Sequence, residues 1–212
     1  MRRLTYLFDP LCGWCYGASP ALERLMAADE NLTIHLVPTG LFADEGAFPM
    51  NAAFAAHAWE ADQRIARLSG QRFTERYRVN VLQSRTAAVD SGPATLGLTA
   101  VRLTAPGREF EALKAIQHVR YVEGRDNGDS AVIADVLAGL GLAEAAARFH
   151  ARDAELLATN RARIAEGRAE MQRFGARGVP TLILDTGQGR TTVDSSTLYG
   201  DAERLAAALG AA

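Results

Sequence analysis

Residues 8–17, FDPLCGWCYG, contain both cysteines of this 212-residue chain, Cys12 and Cys15. The residues that follow, up to about Ala28, place apolar side chains at helical spacing. This spacing predicts a helix that starts at the cysteines and is kinked at Pro20. Residues three positions apart lie on the same face of a helix, so the two thiols can reach disulfide distance without movement of the backbone. The motif therefore predicts a redox-active cysteine pair.

The position of the pair assigns a different role to each cysteine. The start of a helix favours a thiolate because its N–H groups are unpaired and its dipole is positive there. We therefore expect Cys12 to be the nucleophile and Cys15, one turn further along and buried, to resolve the mixed disulfide. Gly13 and Trp14 stand between the cysteines and are expected to tune how strongly the thiolate is stabilised.

Two other uses of a C-x-x-C pair have to be weighed. It can be half of a structural zinc site, which takes four ligands. The chain has no third cysteine, and its four histidines lack the spacing of a zinc-binding pair. The cysteines could also serve only as small apolar side chains. The sequence favours the redox role and predicts no metal.

Strand signals lie at the two ends of the chain. Residues 4–8 and 33–38 are apolar, β-favouring runs on either side of the cysteine helix, and a strand–helix–strand unit implies parallel pairing. Residues 178–184 predict a turn and an apolar strand, residues 190–193 a weaker strand, and residues 201–209 a closing helix.

The segment between these ends, from about residue 44 to residue 177, is rich in alanine and arginine and has helical periodicity. Helices are predicted near residues 51–68, 72–82, 92–104, 108–123, 130–139, 143–151 and 153–174. The sequence thus predicts an α/β domain interrupted by a long helical insertion.

Composition and charge limit the classes of function. Hydrophobic residues make up 48% and charged residues 23% of the chain, which is typical of a folded globular protein. A net charge of -2 without a long basic run argues against a nucleic-acid partner. The N-terminal apolar run is too short for a signal peptide, and no run approaches a membrane span. We therefore expect a cytoplasmic protein without a membrane partner.

The cysteine motif, with Pro20 five residues after the second cysteine, resembles the active-site helix of thioredoxin-fold proteins. The segment Gly178-Val179-Pro180-Thr181 resembles their cis-proline loop, and a long helical block between these two motifs is similar to the DsbA family. Three further segments resemble a cytoplasmic, disulfide-isomerase-like bacterial branch of that family: residues 70–73, 90–94 and 121–126. The resemblance implies a thioredoxin-like α/β fold with a large inserted all-helical domain. Residues 1–43 and 175–212 would form the discontinuous thioredoxin-like domain, and residues 44–174 the insertion.

The resemblance also implies site residues and partners. Cys12 and Cys15 would exchange disulfides with a peptide or small-molecule substrate, as a thiol–disulfide oxidoreductase does. Pro180 would be cis and lie against the cysteine pair, and the backbone of Val179 would pair with an extended substrate segment. No tightly bound cofactor is implied, glutathione is a possible co-substrate, and the recycling partner and the direction of electron flow stay open. By its place before the helix, Asp9 would cap it or accept a proton from Cys15.

Two alternative functions remain. One is a glutathione-linked isomerase or transferase similar to the kappa-class glutathione transferases and hydroxychromene-carboxylate isomerases, which share the insertion. Those enzymes usually have a serine in place of the nucleophilic cysteine, so the presence of both Cys12 and Cys15 favours the dithiol cycle. The other is a redox-sensing or chaperone-like binding module whose helical block offers an apolar groove.

Overall fold

The computed structural model describes residues 2–200 and 202–210, so Met1, Asp201 and residues 211–212 of the predicted domains lie outside the described residues. The strands are β1 (Arg2–Phe8), β2 (Leu32–Pro38), β3 (Phe48–Pro49), β4 (Ala88–Val89), β5 (Thr181–Asp185) and β6 (Arg190–Val193). A four-stranded sheet has the order β2-β1-β5-β6. β1 runs parallel to β2, as predicted, and antiparallel to β5, which is antiparallel to β6.

The helices are α1 (Gly13–Ala28), α2 (Ala52–Ser69), α3 (Glu75–Tyr77), α4 (Gly92–Thr104), α5 (Glu109–Tyr121), α6 (Ser130–Gly139), α7 (Ala143–Ala151), α8 (Ala154–Arg173) and α9 (Ala202–Gly210). Each helix predicted in the insertion is present, with ends shifted by a few residues. Among the described residues, no helix is both long and apolar enough to cross a bilayer. The fold is thus a thioredoxin-like sheet with a helical insertion, and the proposed boundaries at residues 43/44 and 174/175 stay a prediction.

Two parts of the insertion differ from the predicted all-helical block. The chain continues from α3 into a turn of π-helix at Arg78–Leu82, and β3 pairs with β4 in a short antiparallel ladder. In that ladder Phe48 lies opposite Val89 and packs edge-on against Phe54, with ring centroids 5.0 Å apart. Strands of two residues are too short for alternating hydrophobicity to appear, which is why the sequence did not indicate them.

Pro20 does not end α1, which continues to Ala28. Because proline has no N–H, the carbonyl of Tyr16 loses its helical donor. Gln71, from the loop after α2, supplies one instead: its Nε2 donates to the Tyr16 carbonyl oxygen at 3.1 Å. The proline thus leaves an acceptor through which the insertion binds the cysteine helix.

α8 of the insertion packs directly against the end of β2. A β-carbon added at Gly167 would collide with the Pro38 carbonyl group and the Thr39 backbone. Nearby, Arg163 donates to the Leu36 carbonyl at 3.1 Å and pairs with the buried carboxylate of Glu109. The close approach of helix and strand therefore requires glycine at position 167.

We predict that Gly167→Ala destabilises the protein. Alanine should favour an ordinary helix by up to about 1 kcal/mol over glycine, but here its methyl group meets backbone that cannot rotate away, and overpacking costs about 1–3 kcal/mol. The matched control is Gly139→Ala at the exposed end of α6, where no heavy atom lies within 4 Å of the added β-carbon. In urea unfolding the G167A midpoint should fall and the G139A midpoint should stay or rise; equal midpoints would contradict this packing.

Candidate active site

The two cysteines lie where β1 passes into α1, and they differ in accessibility. Cys12 is the residue that precedes the first helical turn, and Cys15 is the third residue of the helix. Both are free thiols in this structure, Cys12 with 8% of its surface exposed and Cys15 with none. The pair is therefore asymmetric, because the Cys12 thiol is slightly exposed and the Cys15 thiol is completely buried.

Burial raises the pKa of the Cys15 thiol well above its usual value, and the hydrogen bond and charge of Cys12 add to this effect. The nearby Asp9 carboxyl raises the pKa further, whereas a backbone hydrogen bond from Asp9 opposes the rise. Cys15 thus stays protonated until a base takes its proton.

The predicted proline loop lies beside the cysteines. The Val179–Pro180 peptide bond is cis, as expected, and Pro180 is buried. The Cys12 thiol donates to the Val179 carbonyl oxygen at 3.5 Å. Sheet register brings them together, because Leu7 at the end of β1 pairs with Thr181 at the start of β5.

Three tyrosine hydroxyls hold the backbone around the cysteines. Tyr121 donates to the Leu11 carbonyl and Tyr199 to the Trp14 carbonyl, both at 2.7 Å, while Tyr6 donates to the Cys15 carbonyl at 3.2 Å. These tyrosines come from α5, from the segment before α9 and from β1. They were not predicted, because residues so distant along the chain form no local motif.

Asp9 does not cap α1, contrary to one of its two predicted roles. The residue at the capping position is Cys12, and no side chain caps it. The Asp9 carboxylate instead accepts the Leu11 N–H at 2.9 Å, the Phe42 N–H at 3.1 Å and the Ser91 hydroxyl at 2.7 Å. Asp9 lies three residues before Cys12, so its side chain does not reach the first N–H groups of α1. Its hydrogen bonds instead connect the loop after β1 with the loop after β2 and with the start of α4.

Burial also raises the pKa of Asp9, although its hydrogen bonds with Leu11, Ser91 and Phe42 act in the opposite direction. Asp9 is completely buried and close enough for its charge to act on Cys15. The structure therefore leaves the other predicted role of Asp9, as an acceptor of the Cys15 proton, chemically feasible. Ser91 stands at the N-terminal end of α4, and its hydroxyl donates to Asp9 instead of capping that helix.

Gly13 and Trp14 both contact the insertion or the C-terminal segment. A side chain at Gly13 would collide with the Asp62 carboxylate of α2. The ring of Trp14 packs edge-on against Tyr199, with centroids 5.0 Å apart, and the Arg64 guanidinium lies 5.8 Å from its centroid. The residues expected to tune the cysteines are thus fixed by groups far away in sequence.

Asp62 is a further titratable group at this site that the sequence did not reveal. Its side chain is 4% exposed, and its Oδ2 accepts the Tyr77 hydroxyl at 3.0 Å. Burial raises the pKa of Asp62 to about 7, while the hydrogen bond from Tyr77 and the charge of Arg120 act to lower it. A carboxyl that titrates near neutrality therefore lies against the residue between the cysteines.

A cleft of about 610 Å³ opens beside the proline loop. Trp14, Val179 and Pro180 line its wall toward the cysteines. Three exposed arginines also line it: Arg64, Arg177 and Arg204. Within residues 2–200 and 202–210, no cluster of histidine, cysteine and acidic side chains could hold a metal ion. The cleft's charged lining consists of these three arginines and one carboxylate, Asp194, so it carries a net positive charge that favours an anionic ligand.

Comparisons with solved structures agree with this geometry. The chain is 34% identical to the cytosolic disulfide reductase DsbM from Pseudomonas aeruginosa, with a TM-score of 0.85, over 99% of this chain and 100% of that one. A second structure of DsbM, with GSH, has 34% identity and a TM-score of 0.84, over 99% and 98% of the two chains. A candidate protein disulfide isomerase from Nitrosomonas europaea has 25% identity and a TM-score of 0.81, over 99% and 96%.

Comparison with curated proteins gave no match. The family described as DSBA-like thioredoxin domain matches residues 3–206, which include both cysteines, the cis-proline loop and the whole insertion. The chain therefore belongs to the DSBA-like thioredoxin domain family and is a DsbA-like oxidoreductase.

Proposed function

We propose that this protein is a cytoplasmic disulfide reductase that uses Cys12 as nucleophile and Cys15 as resolving thiol on glutathione-containing or peptide disulfides. The observation that carries the proposal is the asymmetry of the pair beside the cleft. Cys12 is partly exposed and next to Val179, whereas Cys15 is fully buried one turn below. Only Cys12 can meet a substrate disulfide, and only Cys15 is placed to displace that substrate.

The first step is attack of the Cys12 thiolate on one sulfur of the substrate disulfide. The substrate S–S bond breaks, a Cys12–substrate disulfide forms, and the departing thiolate takes a proton from solvent. Cys12 stands at the start of α1, where no side chain caps the first N–H groups of the helix. We assign to the backbone of the nearby Val179 the pairing with an extended substrate.

The second step releases the substrate. Cys15 loses its proton and attacks Cys12, so a Cys12–Cys15 disulfide forms and the substrate leaves as a thiol. We assign Asp9 as the acceptor of the Cys15 proton, because it is buried beside Cys15 and its own raised pKa makes it a stronger base. Two glutathione molecules would then reduce the Cys12–Cys15 disulfide and leave as glutathione disulfide, which balances the two electrons.

The cleft supports a glutathione-containing substrate. Glutathione carries two carboxylates and one ammonium group, so its net charge is negative and suits Arg64, Arg177 and Arg204. DsbM, at 34% identity, has been solved with GSH. Its name as a cytosolic disulfide reductase also supports the direction of electron flow and the compartment proposed here.

The cysteine roles predict different products from the two single variants. Cys12→Ser should abolish reduction of a peptide disulfide in a coupled glutathione assay, because the buried Cys15 cannot reach substrate. Cys15→Ser, mixed with the peptide disulfide in the absence of glutathione, should stop after the first step and accumulate a Cys12–peptide disulfide, visible in the intact-protein mass. Retained disulfide turnover in C12S would contradict the proposal. Glutathione-dependent turnover of a substrate without a disulfide that survives C15S would indicate the isomerase or transferase class instead.

The arginine cleft predicts charge-dependent reactivity. Arg177→Gln or Arg64→Gln, each made in the Cys15→Ser protein, should slow its reaction with glutathione disulfide by about two- to fivefold, since each removes an exposed ion pair. The rate with uncharged 2-hydroxyethyl disulfide should not change. Arg67→Gln is the matched control, because Arg67 is exposed on the same helix but lines another cleft. Equal slowing with both disulfides would show that the arginines do not bind the anionic substrate.

Asp9 as proton acceptor predicts a shift in the pH dependence of substrate release. Ser91→Ala removes a hydrogen bond that lowers the Asp9 pKa, so that pKa should rise. Because the base must be ionised to act, the increase in release rate with pH should move upward by up to about one pH unit. Asp9→Asn should be slow at every pH. Stopped-flow decay of a preformed Cys12–glutathione disulfide measures this, and a pH profile unchanged in S91A would exclude Asp9 as the acceptor.

A further inference from the structure

The insertion places a buried carboxyl against the turn that carries the cysteines. Asp62 lies in the interior part of α2. The β-carbon of any residue other than glycine at position 13 would collide with the Oδ1 atom of Asp62. Ile65, one turn further along α2, also approaches this position. The glycine between the cysteines is thus needed because α2 fills the space above it.

The other oxygen of Asp62 is fixed, so the carboxyl has one orientation. Tyr77, itself 2% exposed, donates to Oδ2 at 3.0 Å. From α5, the buried groups Arg120 and Tyr121 also face this region, and the Arg120 guanidinium lies 5.5 Å from the Tyr77 ring centroid. On α1 the facing residue is Gly13, which directly follows Cys12. The Oδ1 atom of Asp62 therefore faces the start of α1.

We propose that Asp62 is a positioning residue for Cys12, and that its carboxylate weakens the thiolate at the start of α1 and so makes the protein a stronger reductant. This rests on the proposed dithiol function. The reason is that Asp62 and the Cys12 thiolate draw on the same positive potential of the helix N-terminus and carry like charges in a water-poor setting. Destabilising the thiolate destabilises the reduced protein relative to the uncharged disulfide.

The direction in which the redox equilibrium changes with pH follows from the same interaction. The pKa of Asp62, raised to about 7 mainly by burial, means that the carboxyl is neutral in acid and ionised above neutrality. In acid it therefore exerts no repulsion on Cys12. Above about pH 7 it does, and the interaction is reciprocal, so a thiolate at Cys12 also disfavours ionisation of Asp62. The protein should then gain reducing power with pH beyond the ordinary dependence of thiol exchange.

The test is the equilibrium of the full-length protein with graded glutathione buffers between pH 5 and pH 9.5, read by alkylation of free thiols and mass. We expect wild type and Asp62→Asn to agree below about pH 6. Above pH 7, once reduced Cys12 is also a thiolate, the equilibrium constant should favour the reduced form up to about tenfold more in D62N than in wild type, as expected for loss of one like charge nearby. Asparagine keeps the size of the side chain and an acceptor for Tyr77.

Two further variants separate this effect from a change in packing. Glu60→Gln removes a negative charge from the exposed face of the same helix and should follow wild type at every pH. Tyr77→Phe keeps the Asp62 carboxyl but removes a hydrogen bond that lowers its pKa. Y77F should therefore resemble D62N just above pH 7 and return toward wild type at higher pH.

Each outcome decides one question. If wild type forms no Cys12–Cys15 disulfide at any buffer ratio, the proposed dithiol function fails. If wild type forms the disulfide but the D62N curve superimposes on it at every pH, the role of Asp62 is refuted while the function stands. A D62N protein too unstable to measure leaves Y77F to decide, and a Y77F curve identical to wild type would then overturn the proposal.

Discussion

The pairing of β1 with β5 is the constraint on which the candidate site depends. Because Leu7 pairs with Thr181, the chain leaving β1 and the chain entering β5 emerge side by side at one edge of the sheet. Cys12 and Val179, 167 positions apart, are thereby brought to 3.5 Å. β1 is buried on both faces from Leu4 to Phe8, so a shift of its register against β5 would require the core on both sides of the sheet to repack, and the packing of this run fixes the register and with it the site.

The turn with the cysteines is further held by groups from both parts of the molecule. Its carbonyl groups accept hydrogen bonds from Tyr6 in the sheet, from Tyr199 before α9 and from Tyr121 in the insertion. Asp9 joins the same turn to the loop after β2 and to the start of α4. Thiol–disulfide exchange needs the attacking, the attacked and the leaving sulfur in line, and a backbone fixed at this many points reduces the reorganisation that each step requires.

The sequence predicted those features that local patterns encode. The cysteine motif, strand runs and helical periodicity predicted the fold class, the parallel pair and most helix positions, and the resemblance indicated the cis bond before Pro180. The missed groups depend on tertiary contacts. Asp62 is a polar residue within an otherwise ordinary amphipathic helix, and only its contact with Gly13 in the folded protein shows that it lies at the site. The cap predicted at Asp9 was wrong because Asp9 lies three residues before Cys12 and its carboxylate accepts one local donor, Leu11, and two distant donors, Phe42 and Ser91.

Two carboxyl groups from different parts of the chain thus lie at the turn that carries the two thiols. Asp9 belongs to the loop that follows β1, is fully buried, and acts on Cys15, whose raised pKa makes a nearby base useful. Asp62 comes from the insertion and meets Gly13 at the start of α1, where in its proposed role its charge acts on the more exposed Cys12. Removal of a proton and adjustment of thiolate stability are different tasks, and the insertion allows them to be assigned to different groups. In this proposal the helical insertion contributes part of the redox chemistry in addition to a wall of the cleft beside the proline loop.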